Sequence, residues 1–150
     1  MPGQLFKQAA IVGAAEANEI GFLKEPKSSL QLHIEAIKNV SEQTGIPLSK
    51  IEGIFSTGWS SELCEHLGIR PKYIDTTACG GCSFEMHVHH ALAAIAGGII
   101  DVALISHGEN GHSQRAIGAK GRPSYGPGSG DASPATEMTA AYGMGGAPTA

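Results

Sequence analysis

The sequence predicts an α/β protein built on a mostly parallel sheet with helices over its faces. Three observations carry the prediction. Short apolar runs bounded by Gly and Pro alternate with segments whose apolar residues recur at helical spacing, in the order β-α-β-α-β-α-β. The strands and the facing surface of the longest apolar helix lack charges where layers must meet. Charged residues make up only 16% of the chain and there are 21 glycines, a composition that suits a protein with much covered surface.

Taken in order, Gln8 to Ala15 reads as a buried first strand, and Glu16 to Lys27 as a loop with charges, Gly21 and Pro26. Ser28 and Gln31 have the spacing of a capping box. Leu30, Ile34, Ile37 and Val40 then recur at helical spacing, and Gly45 is a stop. Ile51 to Ser56 is a second strand. Ser60-Ser61-Glu62 starts a short helix that ends near Gly68. Tyr73 to Thr77 is a third strand. Phe84, Val88, Ala91, Leu92 and Ile95 form the stripe of a long helix that ends at Gly97-Gly98, and Ala93, Ala94 and Ala96 keep its C-terminal part small. Asp101 to Ser106 is a fourth strand. Strands 9–14, 73–77 and 101–106 are expected at the centre of the sheet, with the 84–98 helix buried between layers. From His107 to Ala150 the chain is rich in Gly and Pro, with no periodic apolar pattern. The division is therefore a core over 1–106 and a loop region over 107–150, the second being the least ordered part of the chain.

A length of 150 residues fits one domain with a real core. The formal charge of −4 argues against a nucleic-acid partner. No apolar run approaches the length of a membrane span. Three cysteines, two of them in a CxxC, and an N-terminus without a secretory layout point to the cytoplasm.

The strongest hint of chemistry is Thr76 to Glu85. Here a strand turns sharply into a helix, and such a turn aims backbone N–H groups and the positive end of the helix dipole at whatever sits on it. Cys79 and Cys82 flank the turn, and Gly80 and Gly81 between them allow a tight bend and a close ligand approach. A thiol in such a place is activated as a nucleophile, and Cys82, nearest the helix start, is expected to be the most acidic of the three cysteines. Cys64 lies within a helical pattern and is read as structural. Cys79, Cys82, His87, His89 and His90 have ligand types that suit zinc. His87 and His90 fall on a different helix face from His89, and no second spaced pair exists, so no metal is expected. His107 and His112 follow the fourth strand, at the edge where ligands bind in such sheets, although a solvated loop histidine is the plainer reading of both.

These pieces resemble the N-terminal part of thiolase-superfamily proteins, closest to the sterol-carrier-protein type of thiolase and its thiolase-like relatives. The matching residues are Ala10-Ile11-Val12-Gly13, Ile51-Glu52-Gly53-Ile54, Glu65 to Ile69 with the approach to Asp75, Gly80-Gly81-Cys82-Ser83-Phe84, and His90 to Ile105. Ser133 to Glu137 and Tyr142-Gly143 resemble the start of the family's loop region. The resemblance implies the N-terminal half of a thiolase-like fold. The family's catalytic histidine and second cysteine belong to a second half outside 1–150, so the chain alone is expected to be inactive.

The resemblance also implies an acyltransferase acting on acyl-CoA, by thiolytic C–C cleavage or condensation of a β-ketoacyl-CoA through a cysteine acyl-enzyme. Cys82 or Cys79 would carry the acyl group, and Gly80, Gly81 and Ser83 would line the substrate site. Coenzyme A would be a substrate, with no tightly bound cofactor. A homo-oligomer is expected, and a small partner with an OB fold and a zinc ribbon is plausible. Thiolase-like relatives with Gly-Gly-Ser-Ser at the turn carry the alternative of a retro-aldol lyase on a β-hydroxyacyl-CoA of the steroid side-chain type. A non-catalytic subunit or scaffold is the third reading. Arg115, Lys120 and Arg122 would be the basic residues nearest a CoA phosphate, though lone basic loop residues are usually only solvated.

Overall fold

The computed structural model describes residues 5, 7–21, 23, 25 and 27–110. Among the described residues, three α-helices and three strands make an α/β fold: α1 (Ser29–Thr44), β1 (Gly53–Phe55), α2 (Ser60–Leu67), β2 (Tyr73–Asp75), α3 (Ser83–Ala96) and β3 (Ala103–Ile105). A 3-10 turn at Leu48–Lys50 leads into β1. The capping box forms as the spacing predicts: Gln31 N–H donates to Ser28 Oγ at 3.2 Å, and Ser28 N–H donates to Gln31 Oε1 at 2.7 Å. Gly45 ends α1 in the left-handed conformation, φ 70°, and its N–H bonds the Ser41 carbonyl at 2.9 Å.

The strands run parallel in the order β2-β1-β3, with Gly53, Ile54 and Phe55 in register with Tyr73, Ile74 and Asp75 on one side and with Ala103, Leu104 and Ile105 on the other. Side chains alternate across a strand, so this register sorts the core into two layers. Ile54 and Leu104 meet Ile37 of α1, Leu63 of α2, and Ile51 and Ile69. On the opposite face Phe55 meets Ala91 and Ala94 of α3 together with Ile100, backed by Tyr73, Ala103 and Ile105. The result is α1 and α2 on one face and α3 on the other. Gly53 is short of a side chain for a reason: a Cβ there would lie 2.6 Å from Ile100 Cδ1 and 3.1 Å from the Phe55 ring.

Two expectations are corrected. The segment 9–14 is not a central strand; it joins no strand, and Ile11 and Val12 are 82% and 69% exposed. The centre belongs to β1, with β2 and β3 as its flanks. An apolar run becomes a strand only when a sheet edge takes its backbone groups. Among the described residues no backbone hydrogen bond joins 9–14 to β3. The segment instead runs past the C-terminal half of α1, where Gly13 lies against Val40 and Thr44, and Asn39 Nδ2 donates to the Glu16 carbonyl at 2.8 Å. It borders a groove of about 450 Å³ whose other walls are β3, α1 and the Phe84, Val88, Leu92 and Ile95 stripe of α3. The second correction follows: α3 is buried only along one side, at Ser83, His87, Ala91 and Ala94, while Val88 is 44% exposed and Met86 41%.

The residues after β3 are clasped to the start of α1. His33 Nδ1 and Ser106 Oγ lie 2.7 Å apart, both buried. Asn110 accepts from Ser29 Oγ at 3.0 Å and donates to the Lys27 carbonyl at 2.9 Å. Gly108 passes so close to α1 that a Cβ would lie 2.8 Å from the His33 ring. The rest of the predicted loop region, 111–150, lies outside the described residues, and with it His112, Arg115, Lys120, Arg122 and the Ser133 to Gly143 resemblance.

Burial, and then the neighbouring charge of His107, lower the His33 pKa from 6.5 to about 4, against a smaller opposing pull from the Gly108 backbone. The unfolded chain therefore binds the His33 proton before the folded one does. Stability from this group is complete above pH 6.5 and falls as pH drops toward about 4, by roughly 3 kcal/mol over the window. Urea unfolding at a series of pH values should show that slope, and His33→Asn should flatten it between pH 6.5 and 5. In the core, Phe55→Ala should cost about 3–5 kcal/mol in the same measurement, whereas Lys38→Ala on the exposed side of α1 should stay within about 0.5 kcal/mol.

Candidate functional site

The C-terminal ends of β1, β2 and β3 share one edge of the sheet, because all three strands are parallel, and α3 starts at that edge. All five residues singled out at the turn are brought together there. Gly80 takes φ +81°, a conformation costly for any residue with a Cβ, and a Cβ at Gly80 or Gly81 would meet nothing within 4 Å. Ser83, fully buried, is the brace of the turn: its Oγ accepts from Cys79 N–H at 3.0 Å and donates to the Gly80 carbonyl at 2.6 Å. Ser83 is thus a framework residue, with no free face for a substrate.

The two thiols are exposed, with Sγ atoms 3.6 Å apart. Cys82 is the N-cap residue of α3, φ −88° and ψ 5°, and its side chain accepts nothing from the first helical turn. Its thiol donates instead to the Cys79 carbonyl at 3.4 Å. The expectation that Cys82 is acidified is corrected by this geometry. Its hydrogen bond to Cys79 and the charge of a Cys79 thiolate hold the Cys82 pKa above the ordinary thiol value, with minor help from burial and Glu85. Cys64 sits apart on α2, half-buried, and burial raises its pKa as well.

Asp75 links β2 to the turn and to α3. One carboxylate oxygen accepts from Thr77 N–H at 2.8 Å; the other pairs with His90 Nδ1 at 2.6 Å. Burial pushes this carboxyl up, but the Thr77 and His90 hydrogen bonds together outweigh it and hold the pKa below the usual range. Sequence reasoning missed this pair, although an acid inside an apolar strand facing a helix with three histidines was the available signal. With Nδ1 on Asp75, the His90 ring lines an open cleft of about 570 Å³ shared with Tyr73, Thr76, Thr77 and Ile99.

His87 is buried. A carbonyl only accepts, so its Nε2–H donates to the Thr77 oxygen at 3.0 Å, and Nδ1 has no partner among the described residues. Burial lowers its pKa, opposed by the Asp75 charge and the Thr77 carbonyl. Beyond the turn, the His107 ring packs at a tilt of 54° against Phe84, ring centres 4.2 Å apart. His87 and His90 of α3 therefore go to separate partners, and among the described residues no three His, Cys, Asp or Glu side chains converge as metal ligands. No helix of the described residues is long and apolar enough to cross a membrane.

No protein-family model matches the chain, and no curated protein matches it either.

Removing the partner sulfur is the direct check on the electrostatics of the pair. Cys79→Ala should lower the pH midpoint of Cys82 alkylation by iodoacetamide, because the hydrogen bond and charge that raise it are gone. In the parent chain Cys64 should be the slowest of the three at every pH, read by peptide mass spectrometry.

Proposed function

We propose that this chain is an acyl-CoA-processing protein of the thiolase superfamily, in which a thiol of the β2–α3 turn accepts an acyl group from coenzyme A. One observation carries the reading: two exposed thiols in contact, on the turn between a parallel strand and the helix that crosses the sheet. The Cys82 thiol is engaged as donor to the Cys79 carbonyl, which leaves Cys79 as the nucleophile of the pair in this reading. The Cys79 thiolate attacks the thioester carbonyl, and collapse of the tetrahedral adduct leaves the acyl group on Cys79 and expels the coenzyme A thiolate. The N–H groups of Phe84 and Glu85 lie in the first turn of α3 and carry no hydrogen bond among the described residues. They are the donors available to a developing oxyanion.

A retro-aldol lyase on a β-hydroxyacyl-CoA keeps support from the Asp75–His90 pair. A carboxylate that orients an imidazole beside a cleft is the arrangement a general base needs.

Incubation of the whole chain with acetyl-CoA or a longer acyl-CoA, followed by acid quench and peptide mass spectrometry, separates the two. Acyl transfer predicts one acyl group on Cys79, lost in Cys79→Ala and kept in Cys82→Ala. Acylation no faster than in the urea-unfolded chain overturns the acyl-enzyme reading.

A further inference from the structure

The Cys79–Cys82 pair has a property that acyl transfer does not use. We infer that Cys79 and Cys82 form a dithiol–disulfide exchange site whose substrates are low-molecular-weight disulfides of the glutathione type. The inference rests on the sulfur geometry and holds whether or not the turn accepts acyl groups.

Four observations support it. The sulfurs stand at contact distance, 3.6 Å, on residues three apart. Both are exposed, so an external disulfide reaches them directly. The turn between them is free to close the remaining gap of about 1.6 Å to an S–S bond, because Gly80 and Gly81 have open space where side chains would stand. The two sulfurs are also close enough to share a proton, with either one as the donor. What closure gives up is small, a weak thiol-to-carbonyl bond of 3.4 Å from Cys82 to Cys79. The brace of the turn, Ser83 between Cys79 N–H and the Gly80 carbonyl, rests on backbone groups, with only a long contact of 3.8 Å from Ser83 Oγ to Cys79 Sγ beside it.

The steps balance. The Cys79 thiolate attacks one sulfur of RSSR, forming the mixed disulfide Cys79–S–SR and releasing RS⁻. Cys82 then loses its proton to solvent, attacks the Cys79 sulfur and expels the second RS⁻. Two protein thiols are oxidised by two electrons, and one RSSR is reduced to two RSH. Oxidation removes both thiols at once. Where the turn also works as an acyl acceptor, the same event switches that activity off, and a small dithiol restores it.

The test uses the whole chain in glutathione buffers of stepped ratio, quenched with acid and N-ethylmaleimide, without any acyl-CoA. The expected product is a chain about 2 Da lighter before alkylation, with one alkylatable thiol left, Cys64, and a Cys79–Cys82 linked peptide. The exchange constant should exceed that of the urea-unfolded chain by about tenfold or more, since the fold has already brought the sulfurs together. Cys82→Ala should stop at the mixed disulfide on Cys79, and dithiothreitol should reverse both products. A parent chain that accumulates a persistent mixed disulfide, or whose exchange constant is no greater folded than unfolded, overturns the inference.

Discussion

Everything described here depends on one strand three residues long. β1 is hydrogen-bonded on both edges and covered on both faces, and Ile54 and Phe55 have no exposure at all. The two apolar layers share no side chain, so β1 is their point of union, one residue pointing into each. A backbone group left unpaired at such depth costs about as much as a lost hydrogen bond. The ladder therefore runs past the strand ends: Glu52 and Gly53 N–H both reach the Val102 carbonyl, and Ser56 and Ser106 N–H reach the Asp75 and Phe55 carbonyls. Glu52 closes the N-terminal end by binding Lys72 Nζ and Asp101 N–H, each at 2.7 Å. The turn that carries the two thiols lies at the opposite end of the same strands.

Much of this was legible in the residues. Ser28, Gln31 and Gly45 mark α1 because capping is local chemistry, decided within four or five positions. The three observed strands lie inside runs recognisable from composition, and the turn with both thiols is a local feature of the same kind. What was not legible depends on partners far along the chain. Residues 9–14 have the composition of a strand, yet their fate turns on whether an edge is presented to them. Val88 belongs to an apolar stripe whose covering layer periodicity cannot name. The His33–Ser106 contact spans 73 residues, and no window of sequence contains it. The behaviour of Cys82 was hidden for a different reason. Helix-terminus reasoning considers one thiol in a field, whereas the nearest strong influence on Cys82 is a second thiol.

Asp75 is the element that makes the turn more than a bend. It ends β2, caps the residue two further on, and holds an imidazole on α3. Those contacts tie the strand, the turn and the helix together at one carboxylate. The Thr77 and His90 hydrogen bonds hold its pKa below the usual carboxylate range, so the carboxylate of the tie stays ionised through the neutral range. His87 adds a second, uncharged tie from the other side of the same turn, through the Thr77 carbonyl.

The order of strands in space differs from their order along the chain, and this has a consequence during synthesis. β1 finds β2 twenty residues downstream, but β3 only fifty residues downstream. Closing the longer loop costs about 0.8 kcal/mol more by chain statistics. The face lined by Ile37, Ile51, Ile54, Leu63 and Ile69 is complete, apart from Leu104, before the ribosome reaches residue 70. The Phe55 face must wait for Ala91, Ala94 and Ile100. At ordinary elongation rates the nascent chain carries a half-built sheet with a bare aromatic face for roughly 1.5 to 6 s. During that interval the chain is open to capture by chaperones or by another copy of itself.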